Sequence, residues 1–208
     1  MKQQFKLIHG LVLFNLVACG KISEIKESSN QEIEDPTGSY RAILRPYNNQ
    51  LSGQIPNGVA EINLSSNRFN ISSWLDDSAN VVHQQFILDG EECPDQRHDR
   101  NQDGLIDMDE TLSLSKSVLL SLDSDLSSQA NEQNQFPRGD STYIETADIH
   151  KMKQNLFRRN LNNKVIIVLG VAPESQLPST VSTFNSQTPQ LSIPILCGKI
   201  QKLDEATH

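Results

Sequence analysis

The chain has 208 residues, 18 of them Lys or Arg against 26 Asp or Glu, for a formal net charge of −8. That length is enough for one domain with a real hydrophobic core. An acidic balance without a basic patch excludes the electrostatic footprint of a nucleic-acid-binding protein.

The chain opens on Met1-Lys2-Gln3-Gln4-Phe5-Lys6, two lysines ahead of an apolar run over residues 7–18 that His9, Gly10 and Asn15 interrupt. At about twelve residues the run is shorter than the roughly twenty that a membrane-spanning helix needs. Its length and charged flank are those of a signal-peptide core. It ends Leu16-Val17-Ala18-Cys19-Gly20, which resembles the bacterial lipobox, where small residues precede a cysteine. The resemblance implies diacylglycerol on the Cys19 thiol and removal of residues 1–18 as a signal peptide. Gly20 in place of Asp implies sorting to the outer membrane. The expected location is therefore the outer membrane, cell surface or periplasm of a bacterium, with lipid as the anchor.

Loss of residues 1–18 removes Lys2 and Lys6 and no acid, taking the net charge from −8 to −10. Such a chain is not expected to dock electrostatically onto anionic lipid, so membrane contact falls to the acyl chains alone. Residues 19–37 are polar, rich in Glu and Ser, and read as a flexible tether. Residues 38–208 read as a single domain.

Within it the pattern is mostly strand. Residues 39–44 have strand composition and stop before Pro46. Residues 57–64 alternate, with Val59 and Glu61 out of phase with Ala60, Ile62 and Leu64. A turn at Ser65-Ser66-Asn67 leads into residues 68–75, where Phe69, Ile71, Ser73 and Leu75 share a face. Residues 80–88 predict a strand with Val82, Gln84, Phe86 and Leu88 on one side. A short helix is expected over residues 108–115, and a longer one over 146–160, where Ile149, Met152, Leu156 and Phe157 recur at helical spacing. Residues 129–135 read as a polar loop, 164–171 as a buried strand and 191–203 as the last strand. Short strands with polar turns predict a mainly β fold, a β-sandwich or barrel.

Three cysteines are present. With Cys19 assigned to lipid and the compartment oxidising, Cys93 and Cys197 are predicted to pair. They lie 104 residues apart. Closing a loop of that size is worth about 4–5 kcal/mol in the chain-entropy model.

Residues 99–110 read Asp-Arg-Asn-Gln-Asp-Gly-Leu-Ile-Asp-Met-Asp-Glu. They resemble an EF-hand calcium loop. Asp99, Asn101 and Asp103 would give side-chain oxygens, Leu105 its carbonyl, Asp107 a direct or water-bridged ligand, and Glu110 both carboxylate oxygens. Gly104 takes the sharp turn and Ile106 packs the loop. A hard cation that wants six to eight oxygens explains the crowding of four ligand carboxylates, which would otherwise repel one another. Glu91-Glu92-Cys93-Pro94-Asp95 cannot form a normal entering helix, and no second loop of this kind occurs. A lone loop has little to open, so the expected role of Ca2+ is structural.

Residues 80–93 and the stretch Pro194-Ile195-Leu196-Cys197-Gly198-Lys199-Ile200 together resemble the copper/zinc superoxide dismutase family and the related chordin-type domains. The resemblance implies a Greek-key β-sandwich and supports the Cys93–Cys197 bond. It does not carry the enzyme over. His83 matches the residue before the metal-binding pair, while Phe86 and Leu88 stand where copper-binding histidines belong. Only His83, His98, His150 and His208 follow the signal segment, against the six that such a site needs. His83 reads better as a hydrogen-bonded strand residue, and Trp74 as packing.

Ser113-Leu114-Ser115-Lys116 fits Ser-x-x-Lys without its companion motifs, and no Gly-x-Ser-x-Gly, P-loop or dinucleotide fingerprint exists. Arg138-Gly139-Asp140 is a tripeptide prone to chance. The leading expectation is a non-enzymatic, calcium-stabilised envelope lipoprotein acting in binding or surface structure, its partner unnamed. The alternative is a divergent superoxide-dismutase-like oxidoreductase.

Overall fold

The computed structural model describes residues 36–48, 51, 55–127, 135–152 and 160–204. The signal segment, Cys19 and nearly all of the tether lie outside the described residues, as do most of the polar loop and the second half of the predicted long helix.

The first three strands follow the alternation in their sequence. β1 (Gly38–Pro46) turns Tyr40, Ala42 and Leu44 inward, with Ser39, Arg41, Ile43 and Arg45 outward. β2 (Asn57–Leu64) buries Gly58, Ala60, Ile62 and Leu64, and β3 (Arg68–Asp76) buries Phe69, Ile71, Ser73 and Leu75. The turn between them closes with the Ser65 N–H donating to the Arg68 carbonyl at 2.9 Å. The period of two is what a sheet with one wet face requires.

The remaining elements are β4 (Gln85–Leu88), α1 (Met108–Leu112), β5 (Val118–Ser121), β6 (Thr142–Asp148), β7 (Val165–Leu169), α2 (Pro189–Ser192) and β8 (Pro194–Lys202). All strand pairings are antiparallel, in one eight-stranded sheet of order β5-β4-β7-β8-β1-β2-β3-β6. The fold is mainly β, as expected. The sheet curls. The Ser73 hydroxyl of β3 donates to Gln85 Oε1 of β4 at 2.9 Å, and the Tyr143 hydroxyl of β6 donates to the Asp123 carbonyl, just past β5, at 2.8 Å.

Two apolar clusters follow from the curl. The inner one gathers Tyr40, Leu44, Ile62, Phe69 and Ile71 with Ile87, Leu120, Ile166 and Leu196. The outer one packs Phe86, Leu88, Val165, Ile167 and Leu169 against Met108, with Tyr47, Phe136 and Phe184 at its margin. β4 and β7 are therefore buried on both faces. That explains the unbroken apolar run Val165-Ile166-Ile167-Val168-Leu169. The connections 89–117 and 170–193 supply the cover.

Three expectations need correction. The strand expected over 80–88 is β4 alone, Gln85–Leu88, and it does not alternate. Residues 80–84 lie outside it, held by a single bridge from Val82 to Arg138 and by the His83 N–H donating to the Pro137 carbonyl. The helix expected from 146 does not start there: Thr146, Ala147 and Asp148 end β6, paired with Asn70, Phe69 and Arg68. The Asp148 carboxylate then caps one 3-10 turn, Ile149–Lys151. Cross-strand pairing outweighs the helical spacing of Ile149 and Met152, which both still reach the core. The last strand starts at Pro194 because Pro189–Ser192 forms a helical turn capped by Thr188.

Candidate metal centre

Residues 99–110 run from a 3-10 turn, Gln96–His98, into α1. Asp95 caps that turn. Hydrogen bonds from the Arg97 guanidinium and N–H hold the Asp95 carboxyl down to about 2. No entering α-helix is formed, in keeping with Pro94 and the disulfide just upstream. Cys93 and Cys197 are bonded, with their Cα atoms 5.8 Å apart, so the start of this connection is fixed to β8.

The loop turns twice through left-handed backbone, at Gln102 (φ 59°) and at Gly104 (φ 86°). A Cβ at Gly104 would meet nothing within 4 Å, so glycine serves the conformation there and not the space. The loop's oxygens face its own N–H groups. Asp99 Oδ2 accepts from Gly104 at 2.8 Å and Oδ1 from Asp103 at 3.2 Å. Asn101 Oδ1 also accepts from Asp103, at 3.0 Å, and Asp103 Oδ1 accepts from Leu105 at 2.9 Å.

Asp107 and Glu110 form a reciprocal pair. Asp107 is the N-cap of α1 and accepts from the Glu110 N–H at 3.0 Å, while Glu110 Oε2 accepts from the Asp107 N–H at 3.1 Å. This is a capping box, so the Asp-x-x-Glu spacing has a local structural use of its own. Glu110 Oε1 reaches back to the Arg100 N–H at 2.6 Å, tying the loop's end to its beginning.

Burial and charge set these two carboxylates apart. Asp107 is 5% and Glu110 6% exposed. No Lys or Arg among the described residues forms an ion pair with either. A buried carboxylate is normally paired with a cation or bound to a metal. These two have only N–H donors, and that donor set and charge suit a hard cation. Among the described residues, however, no group of three or more His, Cys, Asp or Glu side chains is arranged to hold a metal ion. Asp99 and Asp103 are turned to the loop's own N–H groups. An ion here would also draw on Asn101 and on the Leu105 carbonyl.

Three residues outside the motif brace the loop, and none carried a sequence signal. Asn48, beyond the end of β1, is buried. Its Nδ2 donates to the carbonyls of Ile106 (2.7 Å) and Pro194 (2.9 Å), and its Oδ1 accepts the Ile106 N–H at 2.9 Å. Thr180 Oγ1 donates to Asp103 Oδ2, and the Ser182 N–H donates to Asp107 Oδ2 at 2.9 Å. They come from 58 to 77 residues away in the chain, beyond the reach of any local motif.

Among the described residues the histidines do not assemble into a metal-holding group. His83 is fully buried, with Nδ1 2.9 Å from the Leu169 carbonyl oxygen and Nε2 2.9 Å from that of Ala79. It is a hydrogen-bonded residue, as the sequence suggested, though it precedes β4 and does not belong to it. His98 sits against Asp95. Trp74 lies on the outer face of β3 and is not a core residue. No protein-family model and no curated protein matches the chain.

Proposed function

We propose that this chain is a lipid-anchored protein of the bacterial envelope whose β domain is stabilised by one calcium ion at residues 99–110, and that it serves binding or surface structure without catalysis. The observation that carries the calcium reading is the pair of buried carboxylates, Asp107 and Glu110, that no described Lys or Arg neutralises. Asp99, Asn101, Asp103, Asp107 and Glu110 would hold the ion by side-chain oxygens and Leu105 by its carbonyl. Bound there, calcium supplies positive charge and cross-links the loop. Free calcium at a hundred times its dissociation constant would add about 2.7 kcal/mol to stability.

The test is thermal unfolding of the full chain with calcium and with chelator. The native protein is expected to melt lower in chelator. Asp99→Asn with Asp103→Asn should abolish the difference, and these are better variants than Glu110→Ala, which also breaks the cap of α1. A native protein indifferent to chelator sinks the calcium reading. The anchor is tested separately by mass spectrometry of the membrane fraction. A peptide beginning at acylated Cys19 is expected, and an intact residue 18–19 bond would refute the anchor.

A further inference from the structure

Two walls meet beside the approach to β4. One is the turn at Arg138, and the other is the arch of residues 170–193 that runs from β7 to β8. Main-chain contacts clamp the first wall. The His83 N–H donates to the Pro137 carbonyl at 2.8 Å and the Gly139 N–H to the Val81 carbonyl at 2.9 Å, with Val82 bridged to Arg138. The arch is held at its ends, where the Gly170 N–H donates to the Ile193 carbonyl at 2.9 Å and the Val171 N–H to the Gln190 carbonyl at 2.8 Å. The walls join at Gly170. Its φ is +113°, and a Cβ there would stand 2.9 Å from the Val82 carbonyl oxygen, so glycine alone suits the approach.

Between the walls lies a cavity of about 500 Å³. That size is in the range of small-molecule sites, which are mostly apolar with a few polar groups. Val81, Val82, Pro173 and Leu191 line it with hydrocarbon, and Asn80 and Gln190 bring amides. Among the described residues Arg138 is the one charged side chain in the lining. Its Nη1 donates to the Asn80 carbonyl at 2.8 Å, which ties the guanidinium to the wall. No acid among the described residues forms an ion pair with it. A cavity of like volume beside Asp89 sets Lys116, Lys164 and Lys199 against Asp89, Glu91 and Glu92, so its charges balance. The cavity at Arg138 has no such balance, in a chain whose net charge is −8.

We propose that this cavity binds a small amphipathic carboxylate. The carboxylate takes N–H groups that the Asn80 contact leaves to the Arg138 guanidinium, whose planar fork matches two carboxylate oxygens. The hydrocarbon body lies against Val81, Val82 and Leu191, where burial of each CH2 favours binding. The site stands apart from residues 99–110, and the proposal does not depend on calcium or on the anchor.

The experiment uses the full chain with octanoate as the probe. Octylamine, with the opposite charge, and acetate, without the apolar body, serve as comparisons. Amide shifts are followed by NMR as each is added. Octanoate is expected to give saturable shifts at Val81, Val82, Arg138 and Leu191, with octylamine and acetate weaker there by about tenfold or more. Arg138→Gln should weaken octanoate by about tenfold. Octanoate shifts that do not saturate or that fall elsewhere overturn the proposal. So does octylamine or acetate binding as tightly at those amides, or native octanoate affinity in Arg138→Gln. Should that variant fail to fold, the three probes on the native chain decide the matter alone.

Discussion

Asn48 is one buried side chain joining three parts of the chain. It follows β1, grips the peptide of Ile106 by both its N–H and its carbonyl, and holds the Pro194 carbonyl at the start of β8. Asn48→Ala would leave one donor and two acceptors without partners. At 1–3 kcal/mol for a strongly buried unpaired group, a loss of about 3 kcal/mol is expected in chemical denaturation. Asn48→Asp keeps only the acceptor and should recover little. A second residue gives a pH dependence. The Ser78 N–H and hydroxyl both donate to Asp140 Oδ1, at 2.7 and 2.9 Å, and hold its carboxyl below the ordinary carboxylate range. Because the folded value is the lower one, this contribution is present above about pH 4 and is lost as the pH falls through the folded value. Asp140→Asn should flatten the acid limb of stability against pH. An unchanged limb would show that other carboxylates set it.

Elements divide into those their own residues dictate and those their neighbours dictate. β1, β2 and β3 alternate strictly and carry turn residues at Ser65-Ser66-Asn67, so their bounds and faces are legible in the sequence. α1 is legible too, because Asp107 and Glu110 of the loop form its capping box. β5 and β6 escaped notice. Thr142-Tyr143-Ile144 has strand composition, but the helical spacing of Ile149 and Met152 masks it in the sequence, and pairing with β3 decides the structure. The bounds of β4 are not legible in the sequence because the cover on its outer face abolishes alternation. The Cys93–Cys197 bond is legible from the cysteine count and the expected compartment, and it joins the covering connection to β8. Removing it with Cys93→Ser and Cys197→Ser together should cost about 4–5 kcal/mol by the chain-entropy model. Denaturant unfolding of oxidised protein against the double variant checks this. A loss under 1 kcal/mol would mean that the rest of the domain already fixes those two ends.

At the scale of the molecule, one curled sheet serves two regimes. β4 and β7 are covered on both sides, while the outer face of β1, β2 and β3 remains in contact with solvent. Fold class was readable because alternation, turns and short strands all point the same way. The candidate site was readable only in part. Residues 99–110 announce themselves by type and spacing, but Asn48, Thr180 and Ser182 reach the loop through long-range folding that leaves no local trace.

Trp74 illustrates what an outward face does to measurement. It is the chain's single tryptophan, it is 44% exposed, and its cross-strand neighbour is Val59, itself opposite Ile43. Its indole already meets water in the native state. Emission from it will shift little when the protein denatures, whereas the buried tyrosines Tyr40 and Tyr143 will lose their fixed surroundings altogether. The intrinsic fluorescence of this protein is therefore a gauge of what settles on the outer face of β3, and near-ultraviolet dichroism is the gauge of its core.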